Sequence, residues 1–138
     1  MVSLFDIQDA IVTALKQADF GAGGVTVEAR TEGVLDIPPP AIAVYTIPAE
    51  GRITRADGGR YPMCLIGIVA TASPAANLLE AQRASHRLCA RAAAVVAQMD
   101  IAQQISEVAY MGRENAEKPR SDFFASAVTF IAPYQEEA

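Results

Sequence analysis

The stretch MCLIGIVATASPAANLLEAQRASHRLCARAAAVVAQM, residues 63–99, decides the fold. Its first ten residues, Met63 to Ala72, are uncharged and rich in branched apolar side chains, the composition of a buried strand. The uncharged run extends from Tyr61 to Leu79, but Pro62, Gly67 and Ser73-Pro74 interrupt it, and its strongly apolar part is half a membrane span. Ser73 is placed to cap a helix with Pro74 at its first position, where a missing N–H loses no bond. That helix is predicted to reach Met99, about 26 residues and ~39 Å at ~1.5 Å per residue. Leu78, Ala81, Ser85, Leu88, Ala92, Val95 and Met99 form its core stripe, three or four residues apart.

Working outward toward the N-terminus, Ala41 to Ile47 (AIAVYTI) reads as a second, more buried strand, entered from Pro38-Pro39-Pro40, which stiffens the chain in an extended state. Between it and Met63 lies a polar connection, residues 48–62, either an open loop or an extended hairpin, with a turn at Asp57-Gly58-Gly59. Val25, Val27 and Ala29 alternate with Thr26, Glu28 and Arg30 as in a half-buried strand. Leu4, Ile7, Ile11, Leu15 and Ala18 mark an amphipathic helix over residues 4–18, capped by Ser3 with Asp6 three residues on and stopped by Gly21, Gly23 and Gly24. Toward the C-terminus, a strand is predicted from about 105 to 112, a loop from Gly112 to Ser121, and a last strand over Phe124 to Ile131 before Pro133 and an acidic tail, residues 133–138. Helix, three strands, long helix and two strands make an α+β fold: a mainly antiparallel sheet of about five strands with both helices on one face. With 138 residues, 51% apolar and 20% charged, the chain reads as one domain, residues 1–138.

Composition removes several kinds of chemistry. His86 is the sole histidine, so multi-histidine zinc sites and the HExxH arrangement do not exist within one chain, and no serine sits in a GxSxG elbow. The reading is therefore no enzyme, no catalytic residue, no metal and no cofactor. His86 is expected to be a partly buried, hydrogen-bonded histidine on the long helix. Gly21-Ala22-Gly23-Gly24 follows a helix and opens a strand, the reverse of a dinucleotide loop. Cys64 and Cys89 read as free buried thiols. The opening Met-Val-Ser-Leu-Phe-Asp has no basic segment before an apolar run, which points to folding in a cytoplasm without a secretory signal. A small-ligand domain or enzyme would have to build its pocket from His86, Tyr45, Tyr61, Tyr110 and Cys64, which no spacing links.

The charge pattern is more informative. The net charge of −5 argues against a nucleic-acid binder. Residues 51–99 carry six arginines against Asp57 and Glu80, a net +4, which leaves −9 for the rest of the chain. Arg52, Arg55 and Arg60 cluster in the polar connection, and Arg83, Arg87 and Arg91 form a stripe four residues apart on the long helix. Both groups are compatible with a merely solvated surface. The sharper reading is a docking surface, because the planar guanidinium pairs with carboxylates and stacks on aromatic rings. The basic middle of one subunit would then meet the acidic flanks of the next, a head-to-tail contact that can close into a ring.

The opening helix LFDIQDAIVTALKQA, the proline-led strand IPPPAIAVYTI, the long polar connection, the passage CLIGIVATASPAANLLEAQRASHRLC and the closing strand FFASAVTFIAPY together resemble the small tail proteins of Mu-like and lambda-like phages and prophages, similar to tail terminators. The resemblance is one of pattern and order over nearly the full chain. It implies an α+β subunit that forms a ring, as a hexamer, capping the tail tube and contacting head completion proteins. Its partners would be itself, the tail tube protein and a head completion protein, with no nucleic acid and no membrane. It would reside in the host cytoplasm during assembly and then in the virion tail. A head-tail connector or tail completion protein is the neighbouring alternative. Charge and exposure make Arg52, Arg55, Arg60, Arg83, Arg87 and Arg91 the candidate oligomer or tube interface.

Overall fold

In the computed structural model, which describes residues 3–20, 24–30, 40–54, 60–72, 78–114 and 123–134, helix α1 spans Leu4–Gln17. Its start is fixed reciprocally: the Asp6 N–H donates to Ser3 Oγ at 3.2 Å, and the Ser3 N–H donates to the Asp6 carboxylate at 3.4 Å. Ile7, Ile11 and Leu15 are buried as the periodicity requires, while Leu4 and Ala18 pack at the margin. After Gly24, at φ +75°, the chain enters β1 (Thr26–Arg30).

The sheet continues through β2 (Ala41–Thr54) and β3 (Arg60–Ala72), then α2 (Leu78–Gln98), and ends with β4 (Gln103–Gln104), β5 (Ala109–Glu114) and β6 (Phe123–Pro133). Strand order is β1-β2-β3-β6-β4, with β5 also on the outer side of β6. Among the described residues β1 and β2 alone run parallel; the other pairings are antiparallel. The fold is α+β.

Both helices pack on one face. Ile42 and Val44 of β2, Cys64, Ile66, Ile68 and Ala70 of β3, and Val128, Phe130 and Ala132 of β6 meet Ile7, Ile11 and Leu15 of α1 and Leu88, Cys89, Ala92, Ala93 and Val96 of α2 in one core. Two polar links fix the layers. The Gln8 side-chain amide donates to the carbonyls of Arg30 and Val44, both at 2.9 Å, and so ties α1 to the parallel strand pair. Ser85 Oγ lies 2.9 Å from Ser126 Oγ and 2.9 Å from the Gln82 carbonyl. Since Ser85 donates its one hydrogen to that carbonyl, Ser126 donates to Ser85, joining α2 to β6.

Several boundaries differ from the sequence reading. The connection 48–62 is an extended hairpin: β2 and β3 stay paired out to Thr54 opposite Arg60, across a register shift between Ala49 and Arg52. Pro48 interrupts no inner ladder, because β1 pairs β2 only as far as Tyr45. The described part of the long helix is 21 residues, ~32 Å, and the cap at Ser73-Pro74 lies outside the described residues, as do Pro38, Pro39 and the turn at 57–59. Of its predicted stripe Ala81, Ser85, Leu88 and Ala92 are buried; Cys89, Ala93 and Val96 are buried beside them, whereas Val95 and Met99 are only partly so. The strand predicted from 105 begins at Ala109, because Ile105 is exposed and residues 105 and 106 meet Thr129 individually, through the Ile105 N–H and Ser106 Oγ. Gly112 to Glu114 are strand rather than loop. The last strand runs through Pro133, and Tyr134 packs against the core with its N–H on the Pro62 carbonyl, so the acidic tail starts after Tyr134.

Candidate functional site

Two surfaces stand out, and they are built differently. The first is a groove of about 300 Å³ between α2, the segment after α1 and one end of the sheet, lined by Phe20, Pro40, Ala72, Ala84, Arg87, Leu88 and Arg91. Its apolar floor arises because α1 ends at Gln17 and drops Phe20 into the gap between α2 and the start of β2. Its basic rim follows from helical spacing, which places Arg87 and Arg91 one turn apart over Leu88. Arg91 donates to the Phe20 carbonyl and so fastens α2 to the segment after α1. Arg83, a turn earlier, leaves the groove and faces Glu80 at 3.8 Å on the exposed side.

The second surface is the sheet face that neither helix covers. There Ala41 and Ala43 pack with Tyr45 and Val69 in a separate small cluster. Register places Ile47, Leu65 and Ile131 side by side across three neighbouring strands on this face. Leu65 and Ile131 are half-buried, and Ile47 is 47% exposed. Among the described residues no helix side chain joins this cluster.

The six candidate arginines do not form one surface. Arg87 and Arg91 share the groove, and Arg83 lies beyond it on the same helix. Arg52 and Arg60 occupy diagonal positions near the end of the β2–β3 hairpin, opposite Pro62 and Thr54 respectively, while Arg55 lies outside the described residues. Arg60 and Ala72, the latter at the groove, lie twelve steps apart along β3, ~40 Å at ~3.3 Å per residue. The basic middle of the sequence is thus divided between the two ends of the sheet.

His86 is exposed, contrary to the partly buried histidine predicted for it, because the core stripe of α2 falls on the Ser85 and Cys89 side. Among the described residues no three His, Cys, Asp or Glu side chains gather as a metal site would require. Cys64 and Cys89 are free and buried, and burial raises their thiols to about 11 and about 12. Both are protonated near neutral pH and poor nucleophiles. Among the described residues no helix is long and apolar enough to cross a membrane.

Phe20, Pro40 and the row Ile47, Leu65, Ile131 are absent from the sequence-based candidates. Phe20 carries a weak signal, a lone aromatic residue between a helix and a glycine run. The row is concealed because Met63 to Ala70 shows no polar alternation and reads as buried on both faces. Comparison with protein-family models and with curated proteins finds no match.

Proposed function

We propose that this chain is a structural protein of a phage or prophage tail, a terminator subunit that associates with copies of itself into a ring on the finished tail tube and presents its far side to head completion proteins. The resemblance in element order and pattern supplies the family. The observation that carries self-association is the helix-free sheet face, where an aliphatic row crosses three strands and reaches an exposed isoleucine. Such a face gains from being covered, at roughly 25 cal/mol per Å² of apolar surface removed from water. The action is steric: a ring seated on the last tube ring occupies the surface that the next tube subunit would use. It asks for no bond-making, and therefore for no cofactor.

Size-exclusion chromatography with light scattering, followed by negative-stain imaging with tail tubes, tests this. Rings, free or on tube ends, are the expected result. The triple variant Arg52→Glu/Arg55→Glu/Arg60→Glu should lose capping while keeping the circular dichroism of the parent. A chain that stays monomeric and leaves tube ends bare would refute the reading.

A further inference from the structure

The groove and Tyr134, the last described residue, lie at opposite ends of the sheet. The groove includes Ala72, the last residue of β3, and Pro40, immediately before β2. The chain leaves the sheet at the other end, where Pro133 pairs with Met63 and the Tyr134 N–H meets the Pro62 carbonyl. Met63 and Ala72 lie nine steps apart along β3, ~30 Å at ~3.3 Å per residue. Glu136 and Glu137 follow Tyr134 by two and three residues, a reach of at most ~11 Å. From Tyr134 that reach falls well short of the Ala72 end of the groove.

We propose that the groove receives the acidic segment around Glu136 and Glu137 of a second copy, with the two carboxylates on Arg87 and Arg91. This deepens the self-association half of the function proposed above and rests on it. Charge is complementary on both sides. Among the described residues Arg87 has no carboxylate within ion-pair distance, and the main-chain bond of Arg91 engages one of its five N–H donors. The contact joins one end of a subunit to the opposite end of the next. Such a heterologous contact propagates in one direction and closes only as a ring.

Two measurements test it separately from the parent reading. In sedimentation velocity at low salt, Arg87→Glu and the double variant Glu136→Gln/Glu137→Gln should each weaken self-association about tenfold or more, with unchanged melting temperature. Mixing Arg87→Glu copies with Glu136→Lys/Glu137→Lys copies should restore association between the two. If the wild-type chain assembles and these variants assemble equally well, the groove contact is wrong while self-association stands.

The second measurement does not depend on assembly. An amidated peptide of sequence YQEEA, titrated into the full chain, should shift the amide NMR signals of Ala84, Arg87 and Leu88, whereas YQQQA should not. No shift, or equal shifts with both peptides, overturns the proposal. So does inorganic phosphate moving these signals when YQEEA does not, which would assign the groove to a free anion.

Discussion

Two buried polar side chains on the helix-covered face act in opposite directions. Gln8 satisfies two carbonyls at once, one on β1 and one on β2. Truncating it leaves the buried Val44 carbonyl and the part-buried Arg30 carbonyl without that donor, and a buried loss costs about 1–3 kcal/mol. Gln8→Ala should therefore lower stability by about 2 kcal/mol or more, read as a fall in the urea midpoint with unchanged slope. Thr46 is the converse case. It is buried opposite Ile66, and its hydroxyl has no hydrogen-bond partner among the described residues. Thr46→Val keeps the shape and removes an unsatisfied group, so it should raise the midpoint by the equivalent of about 1 kcal/mol. A lower midpoint for this variant would mean that the hydroxyl finds a partner in solution.

At the level of elements, α2 ends in a conformation that opposes its own sequence. Asp100, directly after the last turn, has φ +56°, and its carboxylate sits at the negative end of the helix. Asp100→Gly relieves the backbone and removes the charge together, and should raise the melting temperature by the equivalent of about 1 kcal/mol. A variant that melts lower would show that the carboxylate holds the turn. The same elements show what the chain announces and what it conceals. The Ser3 cap, the α1 stripe and the α+β order were legible because periodicity and capping are local. The extension of β2 through PAEGRIT was legible only as one of two alternatives, loop or hairpin: those residues lack a strand's alternation, and pairing with β3 decides for strand. Parallel pairing of β1 with β2 was hidden, since alternation in a strand does not reveal the direction of its neighbour. For the candidate site, helical spacing displayed Arg87 and Arg91, but the floor beneath them joins Phe20, Pro40 and Ala72 from three distant parts of the chain.

For the molecule as a whole, the core couples stability to alkaline pH through Cys64 and Cys89. Their thiols ionise near 9 in the unfolded chain and at about 11 and about 12 when folded. The stability they confer is full below pH 9. It is lost progressively above that, as the unfolded state releases protons that the folded state retains. In Cys89→Ala one of these groups is gone, so its urea midpoint should fall less steeply than the wild type between pH 8 and 10; parallel curves would contradict the assignment. The placement of β3 has a consequence of another kind, in the order of synthesis. β3 lies at the centre of the sheet, hydrogen-bonded on one side to β2 and on the other to β6, with ten register pairs between β3 and β6. β2 leaves the ribosome just ahead of β3, whereas β6 follows some fifty residues later. Throughout that interval the central strand exposes a long unpaired edge, the template that neighbouring chains use to aggregate. A chain arrested before residue 123 carries that edge permanently, so the last strand completes the protection of the whole sheet.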